Sequence, residues 1–78
     1  MTDTLKLKAL LMLQGLTQED LAKYLGLSTQ TINMKLNNKR SFKLQEINKI
    51  CNLLKIDDLQ QRFLIFFADN VDLRLHND

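Results

Sequence analysis

TQEDLAKYLGLSTQTINMKLN, from Thr17 to Asn37, reads as two short helices joined by a tight turn. Thr17 is a residue type that accepts a hydrogen bond from first-turn backbone N–H groups. Asp20, three residues on, completes a capping box and suits the positive end of a helix. Leu21, Ala22 and Leu25 then recur at helical spacing. Gly26 can take the left-handed conformation that ends a helix. Ser28 can cap a second helix running from Thr29 to Leu36, in which Ile32 and Leu36 share a face. Thr29, Gln30, Asn33 and Asn37 fall on the rest of that helix.

Two helices joined in this way form a helix-turn-helix, whose second helix can lie in a DNA major groove. Small Ala22 permits close approach of the two helices, and Leu27 and Ile32 anchor the second from beneath. An ordinary helical hairpin would need none of these caps, small residues and anchors at these offsets.

The chain resembles the phage repressor and Cro-like helix-turn-helix family, of XRE type, from about Leu5 to Ile56. The run LGLSTQTINMKLNNKRSF, followed by Glu46-Ile47, is particularly similar to small phage-encoded regulators of that family. The resemblance implies a compact all-α bundle of about five helices, lambda-repressor-like, that regulates transcription. It further implies that Gln18 grips the DNA backbone and that Met34 occupies a position that reads bases in some relatives. Many relatives carry an Arg–Glu ion pair at the positions of Leu11 and Leu36. Replacing both partners by apolar residues is what contact between the two would require, because a single replacement strands a buried charge.

The chain's 78 residues make one domain with a small core, for which self-association would be unsurprising. With 45% hydrophobic and 26% charged residues the balance is that of a globular protein. No apolar run reaches the roughly 20 residues a membrane span needs, and the N-terminus lacks a secretory pattern. The expected location is therefore cytoplasmic, with no membrane association. Net charge is only +2, but its distribution is uneven. Between Leu21 and Gln45 stand Lys23, Lys35, Lys39, Arg40 and Lys43 with no acidic residue; beyond Ile56 Asp predominates. A cluster of that kind suits a phosphate-facing surface, although solvated charge is the plainer alternative.

Around this centre, a first helix is expected from Thr2 or Asp3 to Gly15, with Leu7 and Leu10 as its core pair. Leu11, Met12 and Leu13 extend its apolar surface, for burial or for a partner. Phe42 is the apolar residue of the loop NNKRSFK and is expected to plug into the core. A fourth helix from about Leu44 to Leu54 presents a stripe of Leu44, Ile47, Ile50, Cys51 and Leu54, its start poorly capped by Lys43. Cys51 is the only cysteine, which excludes an internal disulfide and favours a buried thiol. Asp57 is expected to cap a fifth helix, with Gln60 at the capping-box position. Residues 1–67 form the expected DNA-binding domain and residues 68–78 a tail. The tail alternates Val71, Leu73 and Leu75 with polar residues, and a hairpin at Asp69-Asn70 or a helix continued through Phe67 are both open.

No catalytic set is visible: His76 stands in a polar tail, and no phosphate loop or nucleophile motif occurs. The expected function is therefore not enzymatic and uses no cofactor or metal. It is sequence-specific binding of a double-stranded DNA operator. Thr29, Gln30, Asn33 and Met34 are the candidates for base edges. Gln18, Ser28, Lys35, Asn37, Lys39 and Arg40 are the candidates for phosphates, although Lys35 stands where an apolar residue is usual. The alternative is a protein-binding regulator that modulates a partner repressor or acts like an antitoxin. A homodimer fits either reading.

Overall fold

The computed structural model describes residues 1–67. Five helices account for about two thirds of them: α1 (Thr4–Leu13), α2 (Gln18–Leu25), α3 (Thr29–Leu36), α4 (Leu44–Leu53) and α5 (Leu59–Phe66). The all-α bundle matches the expectation from sequence. The proposed tail hairpin lies outside the described residues, while the helix alternative holds as far as Phe66.

Each helix starts on a side chain or backbone group that the sequence supplies. Asp3 accepts from Lys6 N, so α1 begins one to two residues later than its apolar pattern suggests. At α2 the capping box is complete: Asp20 N donates to Thr17 Oγ1 at 3.1 Å, and Thr17 N donates to Asp20 Oδ2 at 2.8 Å. Ser28 Oγ accepts from Thr31 N to cap α3. At α5 the cap is Asp58, whose carboxylate accepts from Gln60 N, rather than the expected Asp57. Either aspartate could serve by composition; the backbone after Ile56 brings the second one into place.

The helix ends share one device. After α1, Leu16 N donates to Leu11 O and Gly15 N to Met12 O. The same pair of bonds closes α2 through Leu27 and Gly26, α3 through Lys39 and Asn38, and α4 through Ile56 and Lys55. This double closure needs a left-handed residue just past the helix. Gly15 and Gly26 supply it at φ 70°, Asn38 at φ 59° and Lys55 at φ 57°. At three of the four ends the next residue is apolar and packs inward: Leu16, Leu27 and Ile56. After α3 it is Lys39, which is exposed.

The core gathers Leu7 and Leu11 from α1, Leu21, Ala22 and Leu25 from α2, and Ile32 and Leu36 from α3. Ile47, Ile50 and Cys51 join from α4, Ile65 and Phe66 from α5, and Phe42 from the loop. Burying a Leu or Ile of this kind contributes roughly 1.5–3 kcal/mol. Phe42 does plug inward and meets Phe66 edge-on at 6.0 Å. Cys51 is buried, and desolvation pushes its thiol upward despite the opposing charge of Arg62. One expectation is refined and another corrected. Leu11 is the buried companion of Leu7, because i,i+4 places it squarely inward, while Leu10 is half-buried and packs against the core's edge. Leu44 is 68% exposed: as the first residue of α4 it lies ahead of the turn that carries the stripe.

The chain's N-terminus is tied to the end of α3. Thr2 N donates to Asn38 Oδ1 at 3.1 Å, and Asn38 Nδ2 donates to Thr2 O at 3.0 Å. Asp3 N also donates to Ile65 O. Asn38 thus pairs with a distant backbone as a second strand would, and nothing in the local sequence announces that partner.

Candidate nucleic-acid interface

Helices α2 and α3 pack against each other, joined through Gly26, Leu27 and Ser28. Ile32, Lys35 and Leu36 are buried, and Leu27 is half-buried beneath the turn. Thr29, Gln30, Asn33 and Asn37 are exposed. At 3.6 residues per turn these four fall within an arc of about 100°, a polar face turned away from the core. Met34 borders it and Thr31 lies farther round the helix, both half-buried. All four residues expected at base edges therefore lie on or beside one surface.

The polar groups on this face are ordered by local bonds. Ser28 Oγ donates to Thr31 Oγ1 at 2.9 Å while accepting from Thr31 N. Asn37 Nδ2 donates to Asn33 O at 2.8 Å and to Asn33 Oδ1 at 3.1 Å. Gln18 is exposed at the first position of α2, close in sequence to Thr17 and Asp20, whose bonds fix that terminus. The Thr17 backbone and side-chain bonds hold the Asp20 carboxyl below its usual value. Gln18 and Ser28 thus stand at the N-terminal ends of α2 and α3, where backbone N–H groups favour an anion.

Lys39 and Arg40 are exposed in the loop after α3, and Lys23 and Lys43 are exposed nearby in the sequence. Lys35 departs from the expectation. Its side chain is 3% exposed, and its ammonium pairs with Glu46 at 2.5 Å. It also lies 5.8 Å from the centre of the Phe42 ring. An ammonium committed to an internal carboxylate cannot also reach a phosphate, so Lys35 leaves the set of phosphate contacts. Its role is to fasten α3 to α4 and to the loop that presents Lys39 and Arg40.

Glu46 is the partner that the charge pattern did not reveal. Its Oε1 accepts from Lys43 N as well as from Lys35. A Lys side chain cannot accept a hydrogen bond, so Glu46 supplies the working half of the cap on α4. The signal was present: a Glu three residues past a helix start is the reciprocal member of a capping box. Burial works to raise the Glu46 carboxyl, but the bonds and charges of Lys35 and Lys43 outweigh it and hold the group below its usual value.

No described helix is long and apolar enough to cross a membrane. Among the described residues no three His, Cys, Asp or Glu side chains gather as a metal site would require. Comparison with known proteins gave no significant match among curated proteins or solved structures. A helix-turn-helix family model, however, matches residues 7–59, which run from within α1 to the first residue of α5. With two capped helices meeting at a left-handed glycine and a family match over most of its length, the chain belongs to the XRE-type helix-turn-helix family of DNA-binding transcription regulators.

Proposed function

We propose that this regulator is Cro- or repressor-like, of phage or mobile-element type, and reads a double-stranded operator with residues 28–37 in the major groove. Thr29, Gln30, Asn33 and Met34 meet base edges. Gln18, Ser28, Lys39 and Arg40 grip phosphates and set the register. Residues 1–67 act as the DNA-binding domain, and residues 68–78 as an appended tail. Such a role places the protein in the cytoplasm.

One observation carries this reading. The side of α3 away from buried Ile32 and Leu36 exposes Thr29, Gln30 and Asn33 together. Polar side chains are usual on the outer face of a surface helix; here they stand on the second helix of a helix-turn-helix, the element that can enter a major groove, and the loop that follows exposes Lys39 and Arg40. Gln or Asn can bond adenine bidentately, and a Thr methyl can meet a thymine methyl. The test is titration of the whole chain against duplexes of differing sequence at two salt concentrations. Steep salt dependence with a sequence preference supports the reading.

A second reading rests on α1. Leu5, Met12 and Leu13 are 79, 77 and 82% exposed, an unusual display for a charged-face position. In that reading the chain engages a partner repressor or acts like an antitoxin; a second copy of the chain on this face fits either reading. The same titration separates the two, since a protein-binding regulator shows no sequence preference on DNA.

A further inference from the structure

We propose that Asn37 is a positioning residue for base recognition: it fixes the Asn33 amide so that Asn33 faces the groove as a hydrogen-bond donor, suited to the acceptor edge of guanine. The inference rests on the DNA-reading function proposed above and assigns a specificity role within it.

The geometry is anchored by a group whose identity is not in question. Asn33 O is a backbone carbonyl and can only accept. Asn37 lies 2.8 Å from it, so the Asn37 atom facing it is the Nδ2 donor. That same Nδ2 lies 3.1 Å from the Asn33 side chain. Two donors would repel there, so the Asn33 atom facing Asn37 is Oδ1. The Asn33 amide is thereby turned: its oxygen points toward the C-terminal end of α3, and its Nδ2 points elsewhere.

That orientation has a consequence for reading. Asn33 Nδ2 has no hydrogen bond to the described residues, and Asn33 is exposed. A free asparagine reads adenine by offering oxygen and nitrogen side by side. Here the oxygen is engaged along the helix, and Nδ2 offers donors. In the major groove adenine N7 and thymine O4 are single acceptors, whereas guanine sets N7 and O6 side by side and is the edge that best suits a group offering only donors. Asn37 contributes through Asn33. Its one donor atom, Nδ2, is bonded twice to Asn33, so a direct phosphate grip is not its role. Its position as the residue ending α3, four after Asn33, gives the spacing at which helical side chains meet.

The test is selection from a randomised duplex library by the whole chain and by Asn33→Ala, Asn37→Ala and the double variant, with thermal melting of each. Asn37 is exposed at the end of a helix, so melting of Asn37→Ala should match the parent chain. The parent should select a motif containing a guanine whose replacement weakens binding about tenfold, the worth of one good base contact. Asn37→Ala and Asn33→Ala should both relax choice at that one base pair. The double variant should relax it no further than Asn33→Ala alone. Replacing that guanine by 7-deazaguanine should weaken the parent but not Asn33→Ala.

Uniform weakening of all sequences by Asn37→Ala, with a smaller salt slope, would make Asn37 a phosphate contact and overturn the proposal. An unchanged motif in Asn37→Ala, or adenine at the Asn33-dependent position, would overturn it while leaving DNA reading intact. If the parent chain selects no motif, the proposal falls together with the DNA-reading function.

Discussion

Lys35 Nζ and Glu46 Oε1 form a buried ion pair that joins α3 to α4. The same carboxylate oxygen accepts from Lys43 N, so one atom closes both an interhelical link and a helix cap. Removing one partner of such a pair is more damaging than removing both, because a lone buried charge keeps its desolvation penalty. Lys35→Met should destabilise the domain by on the order of 3 kcal/mol in denaturant unfolding. Combining it with Glu46→Gln, which can still accept from Lys43 N, should restore part of that loss. Equal or additive losses would show that the pair is not coupled in the folded chain.

The pair also sets a pH dependence. Folding lowers the Glu46 pKa, so the folded chain binds this proton less tightly than the unfolded chain does. Its stabilising contribution is complete above the ordinary carboxylate range and is lost as pH falls through the folded-state value. The stability difference between the parent chain and Glu46→Gln should therefore shrink as pH is lowered from 7 into the acid range. A difference that stays constant over that range would remove Glu46 as its source.

Lys55 ends α4 at φ 57°, where a side chain is disfavoured and glycine is not. Lys55→Gly keeps both closing bonds, from Lys55 N to Asn52 O and from Ile56 N to Cys51 O. It should raise stability by about 0.5–1 kcal/mol, net of glycine's larger unfolded-state entropy. Thermal melting checks this, and a lower melting temperature would mean that the lysine side chain contributes a contact of its own.

Where the sequence was legible, the reason was local. The Thr17–Asp20 box, Gly26 and Ser28 act within four residues of one another, and each does in the structure what its type and spacing imply. The exposed face of α3 was legible too, because Ile32 and Leu36 fix which side turns inward. Lys35 was misread because its partner is eleven residues away, on another helix. The Thr2–Asn38 clamp joins positions 36 residues apart and was not visible at all. Asp57 and Asp58 are interchangeable by composition, and only the path of the chain chooses between them.

Leu11 and Leu36, the two positions at which the resemblance implies an ion pair in relatives, are both buried in the one core. Leu11→Arg alone should destabilise by about 3 kcal/mol, unless the guanidinium reaches water along its stem. Leu36→Glu alone should destabilise similarly, with the new carboxyl raised by burial. The double variant should recover much of the loss in a double-mutant cycle. Simple addition of the two losses would mean that these positions do not meet.

The central claim is that α3 reads bases while the loop after it grips phosphates, and one comparison tests both parts. Binding of the parent chain, Gln30→Ala and the double variant Lys39→Ala/Arg40→Ala is measured on a preferred and an unrelated duplex across a salt series. Gln30→Ala should weaken the preferred duplex by roughly 1–3 kcal/mol and leave the unrelated one unchanged. Lys39→Ala/Arg40→Ala should weaken both about equally and reduce the salt slope by up to about two units. The account is contradicted if neither variant changes binding, or if the parent chain binds both duplexes alike.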